Sequence, residues 1–163
     1  MNEIDQQEID ELTHRYHRLM ASQLTCLIST ASANGIPNIS YAPFIRDRDG
    51  FFYIYVSERA DHTVNLLNNP KASIMLIRSE SESPNLFARE RAILNCNVDE
   101  IIRGTEVYIQ QIEALKEKFG KVVSLLSKLP DFHLFILRPE SGRYVVSFGQ
   151  AFSIDVNNDC LRC

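Results

Sequence analysis

The chain has 163 residues, 45% of them hydrophobic and 23% charged, with a formal net charge of −4. That length suits one domain with a real core rather than two. The acidic balance disfavours nucleic acid as a partner, and no apolar run approaches the roughly 20 residues of a membrane span. The opening Met1-Asn2-Glu3-Ile4-Asp5 has no apolar signal region, so the expected location is cytoplasmic.

Ile9, Leu12, Tyr16, Leu19 and Met20 recur at helical spacing, which predicts an amphipathic helix over Glu3–Met20, with His14 and His17 on its solvated face. Leu24–Ser32 alternates as a strand and is followed by Asn34-Gly35, a strong hairpin signal. Strands are expected at Asn38–Ile45 and Phe51–Val56, on either side of the turn Arg46-Asp47-Arg48-Asp49-Gly50. Asp61–Asn68 reads as a short helix closed by Asn69-Pro70, and Ala72–Ile77 as a central apolar strand.

Arg78–Pro84 reads as a loop and Arg89–Ile101 as a long strand. Its Ala92, Leu94, Cys96 and Val98 face one way, and Arg89, Arg91, Ile93 and Asn95 the other. Glu106–Phe119 is expected to be a helix burying Ile109, Ile112, Leu115 and Phe119, followed by a shorter helix over Val122–Leu129. Two strands, Phe132–Leu137 and Arg143–Phe148, are predicted on either side of a turn at Pro139-Glu140-Ser141-Gly142, with Gln150–Val156 as a last short strand. The expectation is a mainly β protein with flanking helices, a six- to seven-stranded antiparallel barrel. Residues 1–156 make one domain and 157–163 a short tail.

Cys26 and Cys96 lie in apolar runs and read as core residues. Cys160 and Cys163 form a C-x-x-C, half of a zinc site with no second pair, and read as thiols in a disordered tail. Neither a P-loop, a G-x-S-x-G nor an H-E-x-x-H motif is present, so chemistry would come from a cofactor. The run Ser57-Glu58-Arg59-Ala60-Asp61-His62-Thr63 sits at a strand-to-helix junction, where free N–H groups and the helix dipole suit a phosphate or propionate. Ser40 and Tyr41 belong to a strand carrying polar groups on one face. Arg89 and Arg91 are either two exposed charges or a clamp on an acidic group. Asp131 and His133 share a strand face, as a cofactor-facing pair or a plain polar patch. Tyr41, Phe44, Phe51 and Tyr53 offer more apolar strand surface than one barrel can bury, which predicts a homodimer.

Together, Ser40-Tyr41-Ala42-Pro43-Phe44, His62, Asn65-Leu66, Asn69-Pro70, Ser73-Ile74-Met75, Leu86-Phe87-Ala88-Arg89-Glu90-Arg91, Asp131-Phe132 and Phe148-Gly149-Gln150-Ala151 form a pattern. Over residues 10–154 it resembles the haem-utilisation branch of the FMN-binding split barrels, relatives of pyridoxamine 5′-phosphate oxidase. The resemblance implies a homodimer with cofactor sites between subunits, and an oxidoreductase that binds and degrades haem in iron acquisition. It implies that Asp131 supports the axial ligand from the neighbouring subunit and that Arg89 or Arg91 contacts an acidic group of the cofactor. In that branch the axial histidine follows the F-G-Q-A segment. Phe152–Cys163 holds no histidine, so the iron ligand is sought at His62, His133, Cys160 or Cys163. The same departure keeps FMN open as the cofactor, its phosphate held by Ser57, Arg59, His62, Thr63 and Arg91. A non-catalytic haem or flavin carrier is the third reading.

Overall fold

The structure, a computed structural model, describes residues 5–162. Of the predicted first helix, Glu3 and Ile4 lie outside the described residues, as does Cys163 of the C-x-x-C pair. Helix α1 spans Gln6–Ser22, and its N-terminus is closed by the Asp5 carboxylate, which accepts from the Glu8 N–H at 2.8 Å. Ile9, Tyr16, Leu19 and Met20 form its buried stripe.

Strands β1 (Thr25–Ala31), β2 (Pro37–Arg46), β3 (Phe52–Ser57), β4 (Lys71–Ile77), β5 (Arg91–Ile101) and β6 (Phe132–Ser147) make an antiparallel sheet in the order β3-β2-β1-β4-β5-β6. Pairing of β3 with β6 closes it into a six-stranded barrel. Strands β7 (Gln150–Asp155) and β8 (Cys160–Arg162) extend the sheet beyond β6. Helix α2 (Asp61–Asn68) follows β3. Helices α3 (Glu106–Phe119) and α4 (Lys121–Leu126) connect β5 to β6. No helix among the described residues is long and apolar enough to cross a membrane.

Strand alternation divides the apolar residues between two cores. Cys26, Ile28, Phe44, Phe52, Ile54, Ile74, Leu94 and Phe135 fill the barrel and meet α1. Tyr53, Leu134 and Ile136, on the opposite faces of β3 and β6, pack with Ile45 under Tyr108, Ile112 and Leu115 of α3 and Val123 of α4. The helix exposes Ile109 and buries Tyr108, because Tyr108 sits one turn before Ile112 and its hydroxyl meets the Tyr55 hydroxyl at 3.1 Å.

Two sequence expectations are corrected. The tail is ordered through Arg162: Leu161 is buried, its N–H donates to Thr13 Oγ1 of α1, and Asp159 accepts from Tyr16 and Arg46. His17, on the half-exposed face of α1, also meets the tail: its Nε2 lies 2.7 Å from the Asp159 carbonyl. The predicted turn at Pro139–Gly142 is instead a bulge within one continuous strand. Ser141 pairs with Asn95 and Pro139 with Cys96, leaving Glu140 as the extra residue. Pro139 cannot donate to the ladder, and the bulge absorbs that defect. Gly142 is needed for close packing rather than for turning. A Cβ there would stand 2.5 Å from Leu94 Cδ2 and 2.9 Å from Ile154 Cδ1. Gly142→Ala is therefore expected to destabilise the fold by about 1–3 kcal/mol, the usual cost of overpacking. Urea denaturation measures it, and an unchanged midpoint contradicts this packing account.

Candidate functional site

The sequence candidates fall into two separate clusters. Closure of β3 onto β6 sets Ser57 opposite Phe132 and Val56 opposite His133. The Ser57 hydroxyl donates to Asp131 Oδ2 at 3.0 Å, and the Glu58 N–H donates to the Asp131 carbonyl at 2.8 Å. The Arg59 N–H donates to Ser57 Oγ, while its guanidinium, almost fully exposed, stands 3.8 Å from Asp131 Oδ2. Arg103, from the β5–α3 connection, donates to the carbonyls of Ser127, Leu129 and Phe132, and so fixes the loop that carries Asp131. His133 lies between two carboxylates, Nδ1 at 2.5 Å from Glu100 and Nε2 at 2.5 Å from Glu58. Iron ligation by His133 would require breaking one of those contacts.

This arrangement bears on the anion cradle expected over Ser57–Thr63. Two of the donors proposed for a phosphate, Ser57 and more loosely Arg59, already face Asp131, and Asp61 places a carboxylate in the first turn of α2. His62 and Thr63 are buried where α2 packs on β1 and β2. Neither His62 Nε2 nor Thr63 Oγ1 has a hydrogen-bond partner among the described residues, and Asn38 Oδ1 of β2 is likewise unsatisfied. Burial holds the His62 imidazole below its ordinary value, only partly offset by Asp61, so it is kept neutral.

The second cluster is at the far end of β5. Strand β5 starts at Arg91, and Arg89 lies before it, donating to the Arg78 carbonyl through Nε at 3.1 Å and Nη2 at 2.5 Å. Arg89 is thus committed to backbone and to Glu80, 3.6 Å away. Arg91 Nη1 donates to the Arg89 carbonyl, and among the described residues no carboxylate pairs with Arg91. Between them, Glu90 turns inward and is 3% exposed. Its carboxylate accepts from Arg15 at 3.1 Å, from Arg78 at 2.6 Å and from the Tyr144 hydroxyl. Burial alone would raise the Glu90 pKa. The hydrogen bonds from Tyr144, Arg78 and Arg15 outweigh it and hold the carboxyl below its ordinary range. Sequence reasoning missed Glu90, although a signal existed: it shares strand parity with Ala92 and Leu94, the core face. Glu58, Glu100 and Arg103 were also missed.

Register places Arg91 beside an apolar surface. Tyr41, Leu27, Met75 and Ile93 form one row across β2, β1, β4 and β5, and Ile39 and Ile77 flank it on the same outward face. Ile39 is 70% and Tyr41 64% exposed, while Leu27 lies at 36%. Arg91, paired with Ile77, stands at its margin. The expectation for exposed aromatics is corrected in detail: Phe44 and Tyr53 are buried, one in the barrel and one under α3, so the surplus apolar surface is this sheet face. Ser40 points to the opposite face from Tyr41, toward the barrel side with Ala42 and Phe44. One ligand surface cannot use both.

The chain belongs to the pyridoxamine 5′-phosphate oxidase family, whose model matches residues 12–146. It is 42% identical over 130 residues to the haem oxygenase HutZ of Vibrio cholerae, covering 80% of this chain and 73% of that protein. Its fold matches a crystal structure of Vibrio cholerae HutZ, described there as a haem storage protein. The TM-score is 0.77 at 36% identity, over 82% of this chain and 93% of that one. Campylobacter jejuni ChuZ matches with a TM-score of 0.83 at 30% identity, over 94% of this chain and 63% of that one.

The Glu90 network makes a prediction about acid stability. Its carboxyl titrates below 4.5 in the folded chain, so its contribution is in place above pH 4.5 and is lost as pH falls through the folded value. Glu90→Gln should cost about 2 kcal/mol at neutral pH, less than a fully buried pair because Arg15 and Arg78 keep solvent contact. It should also flatten the stability profile below pH 4.5. Denaturant titrations across pH check both, and a variant as stable and as acid-sensitive as the wild type contradicts the network's role.

Proposed function

We propose that this protein binds haem and degrades it, as a haem oxygenase of iron acquisition, with each haem site built between two copies of the chain. The observation carrying this reading is the separation of the two clusters. Arg91, paired with Val145, stands ten residue steps along β5 from Ile101, paired with Leu134 near Asp131. At about 3.3 Å per residue that is on the order of 30 Å of strand path. One chain therefore cannot bring Arg91 and Asp131 to one small ligand, whereas two chains packed on their outward sheet faces can. The likeness to HutZ supports the ligand, and the exposed apolar face supports the homodimer.

The residues fit haem, an apolar disc edged by carboxylates. The row Tyr41, Leu27, Met75 and Ile93 offers apolar contact, and Arg91 keeps donors for a carboxylate. Asp131 is held by Ser57 with its carboxylate partly open to solvent, and from there it would accept a hydrogen bond from a group bound at its open side, so polarising an iron ligand if haem is bound there. Bound haem supplies both the substrate ring and the iron at which dioxygen is reduced by an external electron donor. No observation favours FMN over haem: of the donors expected for its phosphate, Ser57 and Arg59 face Asp131, His62 and Thr63 are buried under α2, and Arg91 stands at the other end of β5.

Two outcomes test this. Haem titration should give a Soret band that decays, with iron released, once a reductant and air are supplied. Arg91→Ala should weaken haem binding by about 1.5–3 kcal/mol while changing folding stability by less than about 0.5 kcal/mol. No Soret band, or equal affinity in the variant, overturns the assignment. Light scattering should show a dimer of the 18.7 kDa chain, and Leu27→Glu should return it to that mass with loss of haem binding. A monomeric wild type that still binds haem contradicts the two-copy site.

A further inference from the structure

His133 connects two elements that flank β6, strand β5 and the β3–α2 turn. Its ring is 16% exposed and stacks at 6.1 Å on Phe135, with one carboxylate against each nitrogen. Glu100 comes from β5 and Glu58 from the β3–α2 turn. That same turn holds Asp131, through the Ser57 hydroxyl, the Glu58 N–H and, more loosely, Arg59. The charged groups that meet the ring are Glu58 from the turn and Glu100 from β5; Arg59, Asp131 and Arg103 lie on the neighbouring segments, Arg103 donating to the Phe132 carbonyl.

We propose that His133 is a positioning residue for Asp131: by tying Glu58 to Glu100 it holds the Ser57–Arg59 turn in the one arrangement that fixes the Asp131 carboxylate and carbonyl. Only the imidazolium donates from both nitrogens. Once the ring is neutral, one nitrogen presents a lone pair to a carboxylate, and that contact is lost. Glu58 is the half that matters to Asp131, since its own N–H and its neighbour's hydroxyl make the Asp131 bonds. Burial would lower the ring's pKa, but the hydrogen bonds to Glu100 and Glu58 outweigh it and raise it above 6.5. The tie is therefore complete below pH 6.5 and is lost as pH rises through the raised value, the opposite sign to Glu90. The functional consequence rests on the reading that Asp131 faces haem, and the test separates the two.

The experiment follows the full-length chain by NMR and by haem titration across pH, as wild type, Glu58→Ala, Glu58→Gln and Asp131→Asn. Without haem, the Glu58 and Arg59 amide signals of the wild type should titrate with the His133 ring. In Glu58→Ala the ring midpoint should fall and the Arg59 amide should stay flat. With haem, affinity and Soret position in the wild type should change with that same midpoint. Glu58→Ala should weaken binding about tenfold at pH 6, the worth of one charge-assisted hydrogen bond. Glu58→Gln, whose amide oxygen still accepts from the ring, should restore most of that loss and flatten the pH profile. If Asp131→Asn weakens haem binding and Glu58→Ala does not, the positioning role is overturned and the haem reading stands. If the wild type does not bind haem, the haem reading falls and the amide signals decide: amides that ignore the His133 midpoint overturn the clamp as well.

Discussion

The pairing of β3 with β6 is the constraint on which the rest of the structure depends. It closes the sheet, so that Phe52, Ile54 and Val56 face an interior while Tyr53 and Tyr55 face α3. It also sets the end of β3 against the start of β6, and every contact of Asp131 follows from that register. Ser57 lies opposite Phe132, which places its hydroxyl on the carboxylate of the preceding residue, and Val56 opposite His133 brings Glu58 within reach of the ring. A slip of one residue would exchange the faces of the whole strand and separate these groups.

The same closed sheet explains why the site is divided. A strand as long as β5 carries chemistry at both ends, with Arg91 at one and Glu100 at the other, and the barrel holds those ends apart. Glu90 anchors the first end: a buried carboxylate joins α1, through Arg15, to the β4–β5 connection, through Arg78, and to β6, through Tyr144. Its three partners leave Arg91 as the cation of this group without a carboxylate of its own among the described residues. The outward apolar rows lie between the two ends. That bare face beside a spare guanidinium is what the proposed two-copy haem site rests on.

Much of the barrel was legible in the residues, because period-2 alternation and turn chemistry are local signals. Ala92, Leu94, Cys96 and Val98 are buried as the alternation requires, and Asn34-Gly35 turns between β1 and β2, with Gly35 at φ 79°. What was not legible depended on neighbours distant in sequence. Gly142 looks like a turn glycine until Leu94 and Ile154 are seen against it. The tail looks disordered until Leu161 meets α1 and Asp159 meets Arg46. In the site, residue types were recognised more readily than their partners. Ser57, Arg59, Asp131 and His133 were singled out, but the first two appeared as anion ligands because their actual anion, Asp131, lies 74 residues from Ser57. Arg89 and Arg91 looked equivalent on a strand, yet only Arg91 belongs to β5, while Arg89 turns back on Arg78.

The central claim, that Arg91 of one copy and Asp131 of another serve the same haem, is tested most directly by mixing two defective variants. Arg91→Ala and Asp131→Asn homodimers should each bind haem weakly. Refolded together, they form heterodimers in which one of the two sites keeps both native residues. The account predicts that wild-type affinity returns at one haem per heterodimer, with the native Soret position. A mixture that binds no better than its components would place Arg91 and Asp131 in separate roles and contradict a site shared between chains.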